Sequence, residues 1–364
     1  MGGSLLTRGS VLRTIGRVVG RDFGGKLILV ISAMKGVTDL LIKAFDEHNP
    51  AIINEALSVY MDEAHDLGLS PYVRFLELVN EELRRFINLG EPWIKDYVVV
   101  HGELLLSLLV EGVLNDVLGV KAKAIYEPGL VTNQNWGNAD VMHELSSGNV
   151  RAKLLNLLGK YDVLIVPGFL GVTLDGRYTS LGRGGSDYTA SLLASYLNAS
   201  RLTLYTDSGG LLSGDPRVVD NPVLIREVCY EEAYAASIVG AKKFHPKTFE
   251  PLLKNRILTL ITSPWLDHGT YINNRCIETP KIVNVGRVED SRYKVSIVGC
   301  GIANNESFIR EIVSIASSYN VEHVMHEGSH VVSLLSNGNG EDTLHLVKDL
   351  HEWVRKWVGL GSPY

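Results

Sequence analysis

Apolar positions recur at helical spacing through residues 5–21, with Leu5, Leu6, Val11, Leu12, Ile15, Val18 and Val19 on one stripe, and this predicts a helix. Leu27-Ile28-Leu29-Val30-Ile31 is a short apolar run ending in Ser-Ala-Met-Lys-Gly, the pattern of a buried parallel strand leading into a loop. Residues 37–45 read as a helix. Residues 50–118 read as mainly helical, with apolar repeats through Leu76, Leu78, Val79, Leu83, Leu105, Leu108 and Leu109. Strands are expected at Ala122–Tyr126, Asp162–Val166, Arg201–Tyr205 and Ile257–Ile261, and helices at Ser186–Asn198 and Glu231–Val239.

Strands alternating with helices over the first ~270 residues argue for an α/β domain with a largely parallel sheet. Residues 272–292 are polar and poor in strand signals, and read as a junction. The pattern then changes. A strand at Lys294–Gly299, a helix at Phe308–Tyr319, a hairpin from Val321–Met325 and Val331–Leu335, and a helix at Thr343–Val354 compose a βαββα unit. Such a unit suits a small α+β sandwich that buries one sheet face under two helices.

Composition leaves this picture intact. The chain has 364 residues, 45% hydrophobic and 21% charged, an ordinary globular balance for two or three domains of ~150 residues. Its net charge of −6 argues against nucleic acid or a membrane surface as partner. No apolar run approaches the ~20 residues of a membrane helix, and no signal peptide is recognised, so a cytoplasmic enzyme is expected. The three cysteines, Cys229, Cys276 and Cys300, are far apart and odd in number, so neither a disulfide framework nor a zinc knuckle is expected, and no metal ligands are assigned.

The most informative chemistry is Gly182-Arg183-Gly184-Gly185-Ser186-Asp187. It follows a strand–turn segment and opens a helix, so its glycines and the helix N-terminus suit an anion, and Arg183 suits a carboxylate or phosphate. A tight turn before a capped helix has the same signature. Tyr205-Thr206-Asp207-Ser208-Gly209-Gly210, continuing to Asp215-Pro216-Arg217, leaves a strand end, where α/β sheets hold ligands. Ser32 to Thr38 places hydroxyls and an ammonium at another strand end. His101-Gly102-Glu103 and Gly240–Pro246, with Lys242, are further candidates.

At these residues the chain resembles aspartate kinase, within the amino-acid kinase superfamily. The matching stretches are Val30–Thr38, Val166–Gly171, Thr179–Thr189, Tyr205–Arg217, Tyr230–Pro246 and Gly269-Thr270, in the family's order over most of residues 2–272. The resemblance implies a three-layer αβα sandwich at 1–272, mainly parallel, and an ACT-like regulatory or dimerisation domain at 285–360. It implies that Arg183 binds a substrate α-carboxylate and Glu103 the α-ammonium. Ser32, Thr38, Phe169 and Ser186 would line the acceptor pocket, and Asp187 would organise phosphoryl transfer. Tyr205, Thr206, Asp207, Asp215, Arg217 and Lys242 would hold ATP with Mg²⁺. Gly2-Gly3-Ser4 match the end of the family's opening Lys-aromatic-Gly-Gly-Ser/Thr motif, whereas Met1 stands at the aromatic position. The motif's lysine and its strand are not in the sequence, which is read as a misplaced start or a trimmed chain. The implied reaction converts L-aspartate to 4-phospho-L-aspartate. Homoserine phosphorylation on the same scaffold, and a non-catalytic amino-acid sensor, are the alternatives. A homodimer and an amino-acid effector are expected from the tail.

Overall fold

The computed structural model describes residues 1–240, 244–288 and 292–360. They form two compact units: Met1–Ala199 with Leu204–Asp207, and Ser200–Thr203 with Ser208 onward.

The first unit runs α1 (Val11–Asp22), β1 (Leu27–Ile31), α2 (Val37–Asp46), α3 (Pro50–Asp66), α4 (Ser70–Phe86), α5 (Pro92–Gly112), β2 (Ala122–Ala124), β3 (Val131–Thr132), α6 (His143–Leu158), β4 (Val163–Pro167), β5 (Leu170–Thr173), β6 (Tyr178–Ser180) and α7 (Gly185–Tyr196). Strand β4 is central to a parallel sheet of order β1-β4-β2, with Leu27 opposite Val163 and Ile31 opposite Pro167. All five residues of β4 are buried, which explains why its sequence is continuously apolar rather than alternating. A second small sheet, β3-β5-β6, pairs β3 with β5 in parallel and β5 with β6 as a hairpin.

Helix α5 packs against α2, β4 and β6. With the π-helical turn Val113–Val117 it forms a 26-residue helix, Pro92–Val117, apolar enough by composition to cross a membrane. That corrects the expectation that no segment approaches this length. The helix is mostly buried, so its apolar surface is spent on the unit's own core.

The second unit contains most of the remaining elements: β7 (Leu202–Tyr205), which starts in this unit and ends in the first, β8 (Glu227–Cys229), α8 (Tyr230–Ile238), α9 (Pro246–Asn255), β9 (Thr259–Thr262), β10 (Gly269–Asn273), β11 (Pro280–Arg287), β12 (Tyr293–Gly299), α10 (Glu306–Ala316), β13 (Val321–His326), β14 (Val331–Ser336) and α11 (Gly340–Leu360). One sheet has the order β7-β9-β10-β8, with β10 parallel to β8 and antiparallel to β9. The other, β11-β12-β14-β13, is antiparallel throughout. Helix α11 packs against β11, β12 and α10. Phe308, Trp353 and Trp357 meet edge-to-face between the two helices.

The fold is α/β, as expected, with an additional C-terminal sheet. Three details differ from the sequence reading. Helix α1 begins at Val11; residues 3–5 form a 3₁₀ turn and Ser10 turns the chain into the helix. The supposed junction at 272–292 contains β11, an eight-residue strand. Its apolar Ile282, Val283 and Val285 are interrupted by Asn284 and Gly286, so no local period marks it; pairing with β12 creates it. Finally, Cys276 and Cys300 form a disulfide, with buried Cys229 beside them, contrary to the expectation of three separate thiols.

Candidate active site

In the first unit the chain start, β1, α5, β5 and α7 converge. The amino group of Met1 donates to Val30 O at 2.7 Å, and Ser32 N–H donates to Met1 O at 3.2 Å. Gly2 N–H donates to Tyr205 O at 3.4 Å. The first two residues therefore run between β1 and the end of β7. Gly3 lies so close to the backbone of β1's loop that a Cβ there would sit 2.6 Å from Ala33 O. Glycine at this position is a packing requirement. Ser4 is exposed in the 3₁₀ turn that follows.

Glu103 projects from the middle of α5 and is 1% exposed. Its Oε1 accepts the Ala33 N–H at 3.0 Å and the Ser32 hydroxyl at 3.5 Å. Its Oε2 is buried with no hydrogen-bond partner among the described residues. Burial pushes this carboxyl up to about 7, partly offset by the donors from Ala33 and Ser32. A buried carboxylate with one empty oxygen invites a cationic donor. Tyr60 braces the same corner: its hydroxyl donates to Gly102 O at 2.9 Å and accepts the Met34 N–H at 3.2 Å.

Phe169, after β4, has φ 67°, a left-handed conformation that is rare for an aromatic residue. The surroundings impose it. Gly168 N–H donates to Ile31 O at 2.8 Å, Leu181 N–H donates to Phe169 O at 2.8 Å, and Phe169 N–H donates to Thr189 Oγ1 at 3.2 Å. Gly168 and Gly185 let this corner touch α7: a Cβ on Gly168 would lie 2.6 Å from the Ser186 side chain, and one on Gly185 would lie 2.8 Å from the Phe169 ring. Such backbone strain concentrates at functional sites.

The glycine-rich turn holds Gly182 at φ 73° and Gly184 at φ 76°, and α7 starts with no side-chain cap. Its first N–H groups and dipole are directed at whatever anion lies there. Arg183 is exposed between the two glycines, and among the described residues no carboxylate pairs with it. Burial raises the carboxyl of Asp187 above its usual range, and the amino terminus of Met1 opposes this. Thr38, partly buried, lies in the first turn of α2 at the end of the β1 loop.

The structure thus gathers Gly2, Gly3, Ser32, Glu103, Phe169, Ser186 and Asp187 around the ends of β1 and β4. The Tyr205 ring is buried and its hydroxyl donates to Asp22 Oδ2 at 2.9 Å. Thr206 Oγ1 donates to Asp207 Oδ1 at 3.2 Å, and Asp207 is exposed at the strand end.

The second unit holds the continuation of that loop. Ser208, Gly210 to Leu212 and Gly214 to Arg217 line a cavity of 310 Å³ closed by Ile282, Val283 and Asn284. Asp215 and Arg217 form a two-pronged ion pair at 3.1 and 2.8 Å. The planar guanidinium is thereby held in one orientation while staying mostly exposed, ready to meet phosphate oxygens. Within this unit Asp215 is an oxygen donor of the kind Mg²⁺ takes together with phosphates. Lys242 lies outside the described residues.

Sequence reasoning missed Asp96 in α5. This buried carboxylate accepts N–H donors from Gly137 at 2.9 Å and Ser180 at 2.8 Å, and the Ser180 hydroxyl at 3.0 Å. It anchors β6 directly before the turn that carries Arg183. Nothing local distinguishes it from a solvated helix-surface acid; its burial decides.

Comparison with known proteins identifies the family. The model of the amino acid kinase family matches residues 1–263. Lysine-sensitive aspartokinase 3 of Escherichia coli is 29% identical over 308 residues, spanning 81% of this chain and 68% of that protein. The aspartokinase of Geobacillus stearothermophilus is 26% identical over 331 residues, spanning 90% and 74%. The crystal structure of E. coli aspartokinase III in complex with aspartate and ADP superposes with a TM-score of 0.82 at 24% identity, covering 97% of this chain and 98% of that one. The chain belongs to the amino acid kinase family, and the relatives it matches there are aspartokinases.

Proposed function

We propose that this protein transfers the γ-phosphoryl group of ATP to the side-chain carboxylate of L-aspartate, giving 4-phospho-L-aspartate and ADP. The observation that carries the reading is the empty Oε2 of buried Glu103, in the same unit as an exposed Arg183 that no carboxylate pairs with among the described residues. A carboxylate for the α-ammonium and a guanidinium for the α-carboxylate are what a free amino acid requires. The names of the relatives, and the aspartate and ADP bound to the E. coli enzyme, support aspartate as acceptor.

Phosphoryl transfer needs mainly alignment and charge stabilisation. Glu103 and Arg183 fix the acceptor's backbone end, which leaves its side-chain carboxylate as the free end. Ser32, Thr38 and Ser186 offer hydroxyl donors, and the N-terminus of α7 offers amide dipoles for the charge that develops on the moving group. Asp187, in the first turn of α7, orients the reacting centre. The cavity beside Asp215 and Arg217 takes the nucleotide, with Mg²⁺ neutralising the phosphates. The C-terminal sheet and helices α10 and α11 serve as an ACT-like regulatory and dimerising module in this cytoplasmic enzyme.

The test is ADP release, followed by a coupled assay, with aspartate, homoserine, glutamate, serine and threonine each offered to the chain with ATP and Mg²⁺. Turnover with aspartate and a product that reacts with hydroxylamine as an acyl phosphate is expected. Turnover with homoserine alone, giving a hydroxylamine-inert product, would reject the assignment.

A further inference from the structure

All three cysteines of the chain meet at one point. Cys229 lies at the end of β8, Cys276 in the loop between β10 and β11, and Cys300 just after β12, yet their sulfur atoms lie within 4.8 Å of one another. We propose that, once reduced, Cys229, Cys276 and Cys300 form a binding site for one soft, thiophilic cation of the Zn²⁺, Cu⁺ or Cd²⁺ class, and that the Cys276–Cys300 disulfide is its closed form.

The dimensions fit. Zinc–sulfur bonds of about 2.3 Å put three sulfurs on one ion roughly 4 Å apart. Cys229 Sγ is already 3.1 Å from Cys276 Sγ, and Cys300 is covalently joined to Cys276, so reduction and a small separation complete a three-sulfur set.

The surroundings are built to hold it. Glu232 is 1% exposed, and it ties the backbones of two of the ligands together: Oε2 accepts the Cys229 N–H at 2.8 Å and Oε1 accepts the Cys300 N–H at 2.8 Å. Lys281, itself 7% exposed, neutralises that carboxylate at 2.8 Å. Outer contacts of this kind, which fix ligand orientation, are what metal sites rely on. The third loop is held independently, because Asn305 Nδ2 donates to Glu278 Oε1 at 3.0 Å, two residues beyond Cys276. Burial grades from Cys229, buried, through Cys300 to Cys276, exposed, which provides an entry path. Soft thiolates choose soft cations over Mg²⁺, so the site would not compete with nucleotide chemistry for its ion.

Opening is a two-electron step. A dithiol reductant supplies two electrons and two protons, the Cys276–Cys300 S–S bond breaks, and the dithiol closes to its own disulfide. The cation then displaces the three thiol protons into solvent as three metal–sulfur bonds form.

The full chain is reduced anaerobically with dithiothreitol, desalted and titrated with Cd²⁺ alone. Expected are one Cd²⁺ per chain, a thiolate-to-cadmium charge-transfer band in the ultraviolet, and protection of three thiols from alkylation by that single equivalent. Cys276→Ser, at the exposed ligand, should weaken Cd²⁺ at least tenfold, and Glu232→Gln should weaken it roughly 10–100-fold. The chain with Cys276–Cys300 oxidised should not show the band. Fewer than three protected thiols in the reduced wild-type chain would overturn the proposal, as would equal affinity in Cys276→Ser. These readouts involve no turnover, so they stand or fall separately from the kinase assignment.

Discussion

Ser213 Oγ and His351 Nε2 share a buried hydrogen bond of 2.8 Å, joining the loop beside the 310 Å³ cavity to the C-terminal helix α11. The serine is held from further sides: its Oγ accepts the Val223 N–H at 2.8 Å, and its carbonyl accepts the Val283 N–H at 2.8 Å. Removing the imidazole strips one partner from a buried hydroxyl and leaves space beside Gly214. His351→Ala should therefore cost about 1–3 kcal/mol of stability in denaturant unfolding. It should also raise KM for ATP several-fold, with KM for the amino acid little changed.

Glu103 carries a stability cost of its own. Its folded pKa, about 7, lies above the usual 4.5, so between these values the unfolded chain has lost a proton that the folded chain keeps. Stability from this group falls as pH rises through that window. Glu103→Gln removes the buried charge while retaining an acceptor for the Ala33 N–H. The variant should be more stable at pH 7, on the order of 1–3 kcal/mol, yet have KM for aspartate raised roughly 10–100-fold. Unchanged KM would show that no ammonium sits at Oε2.

Acid behaviour follows from two buried histidines. Burial lowers the pKa of His101 in α5 and of His351 in α11. Both contribute stability that is complete above the ordinary histidine value and is lost as pH falls towards their lower folded values. Over pH ~4.5–6.5 this opposes the trend set by Glu103. The unfolding free energy of Glu103→Gln should therefore drop more steeply on acidification than that of the wild type. Parallel profiles would contradict the assigned pKa shift of Glu103.

Arg183→Ala tests the proposed acceptor clamp from its exposed side. No ion pair is lost among the described residues, so the melting temperature should hold. KM for aspartate should rise sharply, about 10–100-fold for a charge-assisted contact. A fall in kcat with unchanged KM would move Arg183 from binding to the transferring group.

Gly168→Ala tests the strained corner. Its Cβ would meet the Ser186 side chain at 2.6 Å. Overpacking here should cost about 1–3 kcal/mol and displace the start of α7. Activity should fall further than stability does, because Ser186 and Asp187 both move; the comparison is kcat/KM against unfolding midpoint.

Local pattern alone located β1, the helix α7 and the loop after β7, because each is encoded by neighbours in sequence: an apolar run, a glycine-rich turn, a strand end. It also named Glu103 and Arg183 by resemblance. It did not reveal that Glu103 is buried with one oxygen empty, since burial depends on β1, α2 and α5 closing around it. Asp96 was invisible for the same reason. Strand β11 was missed because its identity lies in its pairing with β12 rather than in its own alternation.

The sequence by itself determined the α/β class and the order of the glycine-rich and strand-end loops, since those follow from short-range periodicity and glycine placement. Only the tertiary structure decided which side chains are desolvated and which remote residues touch. The clearest case is Cys229, Cys276 and Cys300, whose spacing along the chain argued against any shared site. Chain separation says nothing about spatial distance once strands pair, and sulfurs can bond or share an ion only where they are close in space.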